Sequence, residues 1–144
     1  TCTSGGDCKL TCEQECSLSC DSNSKCDADA SGPVSISCTD TASCKGQGGD
    51  GSTIVCDADS TCDLKAGTDS TATCSGSATC KLNLGTGSTV SCLDNASCDI
   101  KCDLGDCQVT CAPTATCQLS CGLADAGMAG TVCPDGTLVC GTCP

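Results

Sequence analysis

Hydrophobic and polar residues alternate along short segments of the chain. Val90 and Cys92 fall on one side of such a segment, and Thr89 and Ser91 fall on the other. A period of two is the pattern of a half-buried β-strand. The segments are separated by Gly, Asp, Pro and Ser, which favour turns. The pattern therefore predicts many short strands joined by tight turns.

Cysteine recurs with a step of 18 residues in two series, which are Cys2, Cys20, Cys38, Cys56, Cys74 and Cys92, and Cys8, Cys26, Cys44, Cys62, Cys80 and Cys98. The series continue as Cys111 and Cys117 after one inserted residue. An 18-residue unit is too short for a pair of helices and too small to bury a core alone. We predict an all-β, disulfide-stapled β-solenoid of 18-residue coils, with about 6–7 coils stacked over one narrow core.

The repeat divides the chain into two parts. The solenoid coils occupy residues 1–121, and the 18-residue step is lost in residues 122–144. We expect this second part to form a C-terminal cap or a docking segment. The period does not reveal the handedness of the coil.

Composition changes the kind of core that can be expected. The chain has 144 residues, 22 of them Cys, and it has no aromatic residue and no His. Such a composition is typical of a disulfide scaffold made in an oxidising compartment. The chain also begins at Thr1 rather than Met, so we expect a secreted or cell-surface protein from which a leader has been removed.

The charge balance narrows the choice of partners. Eighteen acidic residues face six Lys, a net charge of −12. Polyanions are bound by basic surfaces, so we expect neither nucleic acid nor an anionic membrane surface as a partner.

The simplest disulfide scheme joins the two ladder cysteines within each coil. It gives Cys2–Cys8, Cys20–Cys26, Cys38–Cys44, Cys56–Cys62, Cys74–Cys80, Cys92–Cys98 and Cys111–Cys117. The remaining cysteines would pair as Cys12–Cys16, Cys102–Cys107, Cys121–Cys133 and Cys140–Cys143. Ladder cysteines on adjacent coils would also lie within bridging distance, so the spacing leaves that alternative open.

One register position carries charges of alternating sign, in the order Lys9, Asp27, Lys45, Asp63, Lys81 and Asp99. In a parallel stack these residues become neighbours of opposite charge. A slip by one coil would bring like charges together, so the structural interpretation is that the column sets the register. The alternative interpretation is a charged binding stripe.

The sequence offers few residues that could form a catalytic site or a metal site. Cys140 and Cys143 form a single C-x2-C pair, whereas zinc sites usually show two such pairs or Cys with His. Asp57, Asp59 and the Gly-rich run 48–51 offer a weak case for calcium. No His, Tyr or Arg is present to act as an acid, a base or an oxyanion partner. We expect no catalytic activity, no metal and no cofactor.

Ser and Thr form outward columns before the first ladder cysteine, and the candidate ice-binding residues among them are Ser35, Ser37, Thr53, Thr71, Thr73, Thr89, Ser91 and Thr110. With its C-x5-C frame, seen in the opening TCTSGGDC, the chain resembles the beetle antifreeze β-helices. That resemblance implies stacked disulfide-bridged coils that bind ice through a Thr array. The coils of that family are shorter, and the residues after the ladder cysteine here are mixed, as in Asp21 and Leu93.

The chain also resembles Cys-rich repeat proteins secreted by some bacteria, in runs such as CQLSC at residues 117–121. The open end of a solenoid invites strand pairing, and a head-to-tail contact that does not close yields a filament. We therefore favour a non-catalytic structural rod, which assembles with itself head to tail into an extracellular filament or surface layer. The alternative is an ice-binding protein that uses the Ser/Thr columns.

Overall fold

The computed structural model describes residues 5–103, 105–122 and 128–144. All the elements in these residues are β-strands, which confirms the all-β class. They are β1 (Asp7–Cys12), β2 (Cys16–Cys20), β3 (Lys25–Ala30), β4 (Val34–Cys38), β5 (Ser43–Gln47), β6 (Thr53–Cys56), β7 (Thr61–Ala66), β8 (Thr71–Cys74), β9 (Thr79–Leu84), β10 (Thr89–Cys92), β11 (Ser97–Cys102), β12 (Cys107–Cys111), β13 (Thr116–Cys121), β14 (Met128–Ala129), β15 (Thr131–Val132) and β16 (Leu138–Cys140). Among the described residues there is no helix with the length and apolar character needed to cross a membrane.

The strands form two sheets that wind alternately up the solenoid. Sheet I contains β1, β3, β5, β7, β9, β11 and β13 in parallel, followed by β14. Sheet II contains β2, β4, β6, β8, β10 and β12 in parallel, followed by β16 and β15. Each ladder cysteine in the described residues pairs with its equivalent one coil away, as Cys38 does with Cys20 and Cys56. The predicted β-solenoid of 18-residue coils is therefore confirmed, with about six turns.

The core is a thin layer between the two sheets. Ladder cysteines such as Cys38 and Cys56 are fully buried, and large aliphatic residues from most of the strands fill the space between them. The largest of these are Ile36, Ile54, Leu64, Leu82 and Ile100, each no more than 2 % exposed. Since inward and outward residues alternate strictly along β9 and β11, every second side chain of a strand is left on the surface.

From residue 21 onward, four-residue turns close one corner of each coil. In the second of these turns the Ala42 N–H donates to the Thr39 carbonyl at 3.1 Å, and Asp40 has φ of 57°. Ala58 and Asp94 take the same left-handed conformation at equivalent positions, with φ of 58° and 55°. Asp and Asn tolerate this conformation better than most residues. Each of these turns lies between the two ladder cysteines of its coil, so the disulfide spans the corner.

The bridges follow the pairing predicted from the spacing in most of the solenoid. The structure contains Cys20–Cys26, Cys38–Cys44, Cys56–Cys62, Cys74–Cys80, Cys92–Cys98, Cys111–Cys117, Cys12–Cys16 and Cys102–Cys107. Cys2, the expected partner of Cys8, lies outside the described residues. No cysteine in the described part of the chain is free.

The expected pairs Cys121–Cys133 and Cys140–Cys143 are wrong. Cys121 is bridged to Cys140 and Cys133 to Cys143, with Cα–Cα distances of 5.5 and 5.6 Å. The reason is a reversal of chain direction, which the 18-residue step does not encode. Strand β16 runs antiparallel to β12 and places Cys140 opposite Cys107, in contact with the end of the last coil.

The C-terminal segment covers the last coil. Strand β14 pairs antiparallel with β13 in sheet I, and β16 pairs antiparallel with β12 in sheet II. Strand β15 then pairs with β16. The segment therefore ends both parallel sheets with short antiparallel strands. Met128 and Val132, on the outermost of these strands, are 71 % and 68 % exposed.

Candidate functional site

The outer surface of sheet II carries no charged side chain on its six parallel strands. Its outward residues are Ser17, Ser19, Ser35, Ser37, Thr53, Val55, Thr71, Thr73, Thr89, Ser91, Gln108 and Thr110. We call this surface the neutral face. Ten of its twelve residues bear a hydroxyl group, and the two others are Val55 and Gln108.

Strand geometry arranges the neutral face as two straight columns. Outward residues of one strand are about 6.6 Å apart, and neighbouring coils are about 4.8 Å apart. The parallel register places Thr53, Thr71 and Thr89 in direct succession along one column. The second column is more recessed, because Thr73 and Ser91 are only partly exposed.

Side-chain chemistry and backbone support make this surface rigid. Thr and Val are branched at Cβ, so few χ1 rotamers are open to them on a strand. The backbones of β4, β6, β8, β10 and β12 are held by sheet hydrogen bonds on both sides, and a disulfide closes the corner that follows each of them. The hydroxyl and methyl groups therefore keep nearly fixed positions relative to one another.

The eight candidate residues predicted from the sequence all lie on the neutral face, on β4, β6, β8, β10 and β12. The structure extends the columns at one end through Ser17 and Ser19 on β2. Gln108 lies directly beside Thr89 and ends the more exposed column.

The opposite surface, on sheet I, carries a very different set of outward residues. We call it the charged face, and it consists of Asp7, Lys9, Thr11, Lys25, Asp27, Asp29, Ser43, Lys45, Gln47, Thr61, Asp63, Lys65, Thr79, Lys81, Asn83, Ser97, Asp99, Lys101, Thr116, Gln118 and Ser120. All six Lys of the chain and five of its 18 acidic residues are on this face. The face is close to electroneutral, and the excess negative charge of the protein lies elsewhere.

The alternating column runs along the centre of the charged face. Lys9 pairs in register with Asp27, and Lys45 pairs with Asp63. Each of these residues thus has an opposite charge on the adjacent coil, as the spacing predicts. Exposed pairs of this kind contribute at most about 1 kcal/mol each, so their main intramolecular effect is on register.

Acidic residues at the corners bond to the next coil. The Asp57 carboxylate accepts a hydrogen bond from the Ser75 hydroxyl at 2.8 Å. That bond, together with the Ala58 N–H, holds the pKa of Asp57 below its usual value. Asp50 Oδ1 likewise accepts the Thr68 N–H at 2.7 Å. These carboxylates therefore connect successive coils.

The sulfur atoms come close together along the core, and those of Cys56, Cys74 and Cys80 form one compact group. Every one of them belongs to a disulfide, however. A disulfide sulfur is not the thiolate that binds zinc. The cysteines of this part of the chain therefore act as staples.

No family model, curated protein or solved structure matches this chain. The function must therefore be argued from the two faces themselves. They are the two large regular surfaces of the solenoid, and they differ most in charge.

Proposed function

We propose that the neutral face binds ice and that the protein is a non-catalytic, extracellular ice-binding protein. The observation that supports this best is the absence of charge from the twelve outward residues on the six parallel strands of sheet II. The whole chain carries a net charge of −12, so a charge-free surface of this extent needs an explanation. Binding to a neutral, hydrogen-bonding lattice provides one.

The chemistry of the face suits a surface made of ordered water. Charged groups hold tight hydration shells that do not match the lattice of ice, whereas hydroxyl groups can take the place of a water molecule. The methyl groups of Thr and Val form no hydrogen bonds, so the water molecules beside them hydrogen-bond to one another. Strand geometry gives this array regular repeats of about 4.8 and 6.6 Å.

Rigidity strengthens this proposal. A surface that must be ordered on binding loses conformational entropy, whereas a preorganised surface does not. Thr71 and Thr89 stand on strands that each have a paired neighbour on both sides, and the core beneath them is fully buried. The neutral face is therefore ordered before it meets ice.

The high disulfide content of the chain indicates the compartment in which the protein acts. Extensive disulfide bonding is typical of extracellular proteins, because the reducing cytosol does not preserve it. Ice forms first outside cells. We therefore infer that the protein is secreted and acts in the extracellular space or at the cell surface.

The test is direct. Oxidised protein should shape ice crystals and produce thermal hysteresis, and a fluorescent conjugate should be incorporated into a growing single crystal of ice. The label should be attached through a Lys side chain, because all six Lys lie on the charged face. Round, unshaped crystals together with exclusion of the label would contradict the proposal.

A structural rod that assembles head to tail is a second candidate, and the ends of the solenoid favour it. Among the described residues, β1 and β2 each pair with only one strand. Their outer edges can accept another strand. At the opposite end, Met128 and Val132 expose apolar side chains on short strands. Contact between these ends would repeat without closing and would give a filament.

Electron microscopy of the non-reduced protein distinguishes the second candidate. Filaments that lengthen with concentration, and whose width matches one solenoid, would support the structural rod. Discrete short rods at all concentrations would contradict it and leave the ice-binding proposal in place.

A further inference from the structure

We propose that the charged face is a self-association surface, on which a second copy docks face to face with its coils in the reverse order. This inference is independent of ice binding. It rests on a symmetry in the signs of the charges along sheet I, and it names the occupant of that face as another molecule of the same chain.

The central column of the charged face is complementary to its own reverse. Its six charged residues alternate strictly in sign, from Lys9 at one end to Asp99 at the other. Because the number of residues is even, reversal of the order exchanges every positive position for a negative one. A reversed copy therefore places Lys9 against Asp99, Asp27 against Lys81 and Lys45 against Asp63.

A second column on the charged face consists of the first residue of each strand, from Asp7 on β1 to Ser97 on β11, and it fits the same arrangement. Asp7 faces Ser97 of the partner subunit, Lys25 faces Thr79 of the partner subunit, and Ser43 faces Thr61 of the partner subunit. Each charged side chain meets a hydroxyl group, so this column adds no repulsion.

The third column consists of the fifth residue of each strand, from Thr11 on β1 to Lys101 on β11, and it is also compatible with the reversed dimer. Thr11 faces Lys101 of the partner subunit, Asp29 faces Asn83 of the partner subunit, and Gln47 faces Lys65 of the partner subunit. No position on six successive coils thus meets a charge of its own sign. The two-fold axis of this dimer runs along the strands, between β5 and β7.

The other face-to-face two-fold axis is excluded by charge. An axis along the stack of coils would keep the coil order and bring the central column against itself. Lys9 would then face Lys9 of the partner subunit, and the same clash would recur at every coil. Like charges placed directly opposite one another are destabilising, so the reversed order is the one that the charges select.

The size and the charge of the protein predict a weak dimer. Six strands and three columns span about 24 by 18 Å, or roughly 430 Å² on each copy, which is well below the roughly 800 Å² per partner of a standard interface. Each copy also carries a net charge of −12, which opposes association. Thirteen of the 18 acidic residues lie off the charged face, and salt screens their repulsion with a Debye length of about 8 Å at physiological ionic strength.

These opposing effects predict an unusual dependence on salt. At very low salt, long-range repulsion between two acidic molecules keeps them apart. At intermediate salt that repulsion is screened, while the Lys–Asp pairs in contact still attract. At high salt the pairs are screened as well. Dimerisation should therefore be strongest at an intermediate ionic strength, and the two neutral faces would then point outward on opposite sides.

Sedimentation velocity of the full oxidised chain over a range of NaCl concentrations tests this proposal. The informative variant is Lys45→Asp, which places two like-charged pairs in each dimer and should weaken dimerisation at least tenfold. Adding Asp63→Lys restores opposite charges across the interface and should recover the dimer. Within one chain, Lys45→Asp alone and the double variant each leave two like-charged pairs and one opposite pair among the in-register positions 27, 45, 63 and 81. Recovery therefore cannot come from the stability of the single chain.

A matched control changes net charge by the same two units away from both faces. Asn23→Asp with Asn95→Asp alters two exposed turn residues by isosteric replacement and should leave the dimer as strong as in the wild type. The proposal would be overturned by a wild type that stays monomeric at every salt concentration. It would equally be overturned if the control weakened the dimer as much as Lys45→Asp, if the exchanged pair failed to restore it, or if larger head-to-tail assemblies formed instead.

Discussion

Thr71 and Thr89 occupy equivalent positions on the neighbouring parallel strands β8 and β10, and both side chains are exposed on the neutral face. Thr61 and Thr79 have the same relationship on β7 and β9, but on the charged face. The chain therefore presents the same pair of residues, at the same spacing, on two opposite surfaces. Any function that depends on a face can be tested by making the same change on both.

A buried serine ladder supports the second corner of the coils. Ser70 Oγ accepts the Ser52 N–H at 3.2 Å and donates to the Gly67 carbonyl at 3.0 Å. Replacement of Ser70 by Ala leaves that buried N–H without its partner. We expect a loss of about 1–3 kcal/mol in the free energy of unfolding, measured by denaturant titration with the disulfides intact.

Ser60 provides the control for this prediction. It is equally buried, but in the described structure its hydroxyl has no hydrogen-bond partner. Ala42 and Ala78 occupy the equivalent positions in the adjacent coils. Ser60→Ala should therefore leave stability unchanged or raise it slightly. A loss as large as that of Ser70→Ala would refute the assigned role of the ladder.

Gly46 is required within strand β5 for two reasons. Its φ is +132°, and a Cβ at this position would lie 1.9 Å from the Ala28 carbonyl oxygen of the adjacent coil. Gly46→Ala combines backbone strain with overpacking and should reduce stability by about 3 kcal/mol or more. Gly51 has φ of +71° but open space around it, so Gly51→Ala should cost only about 1–2 kcal/mol. Equal losses for the two variants would contradict this account.

The thin core makes each large aliphatic side chain important. Leu82 is 1 % exposed, whereas Leu93 lies on a turn and is 38 % exposed. Leu82→Ala leaves a cavity that the stapled coils cannot fill, and it should lower the free energy of unfolding by about 2–5 kcal/mol. Leu93→Ala should change it by about 0.5 kcal/mol or less. Thermal unfolding followed by circular dichroism would show the contrast.

Gln108 interrupts the more exposed column of the neutral face. Gln108→Thr would extend the array beside Thr89 with the same branched side chain. We expect greater thermal hysteresis from this variant than from the wild type. The equivalent change on the charged face, Gln118→Thr, should have no effect, and an equal gain from both would argue against the assignment of the face.

Sequence periodicity predicts the solenoid well because every coil has inward residues and ladder cysteines at the same positions. The 18-residue step places Cys38 beside Cys56 and Lys45 beside Asp63, as the structure has them. The same step predicts the candidate column of Thr53, Thr71 and Thr89.

Structural features that do not repeat from coil to coil cannot be predicted from the 18-residue period. The pairing of Cys121 with Cys140 depends on a reversal of chain direction after the last coil, and several cysteines of the tail are at similar sequence distances. The hydrogen bond between Ser52 and Ser70 depends on backbone geometry at one corner, for which the sequence shows only a Ser at three successive coils. Hydrophobic alternation marks which residues point inward, but it does not reveal which buried hydroxyl finds a partner.

The most direct test of ice binding compares two double variants. Thr71→Tyr with Thr89→Tyr breaks the flat neutral face without changing charge, and Tyr is well tolerated on strands. Thr61→Tyr with Thr79→Tyr makes the same change on the charged face. Thermal hysteresis and ice shaping should be lost in the first variant and kept in the second. Circular dichroism should show that both variants are folded. Activity that survives in the first variant, or that is lost equally in both, would contradict the claim that the neutral face binds ice.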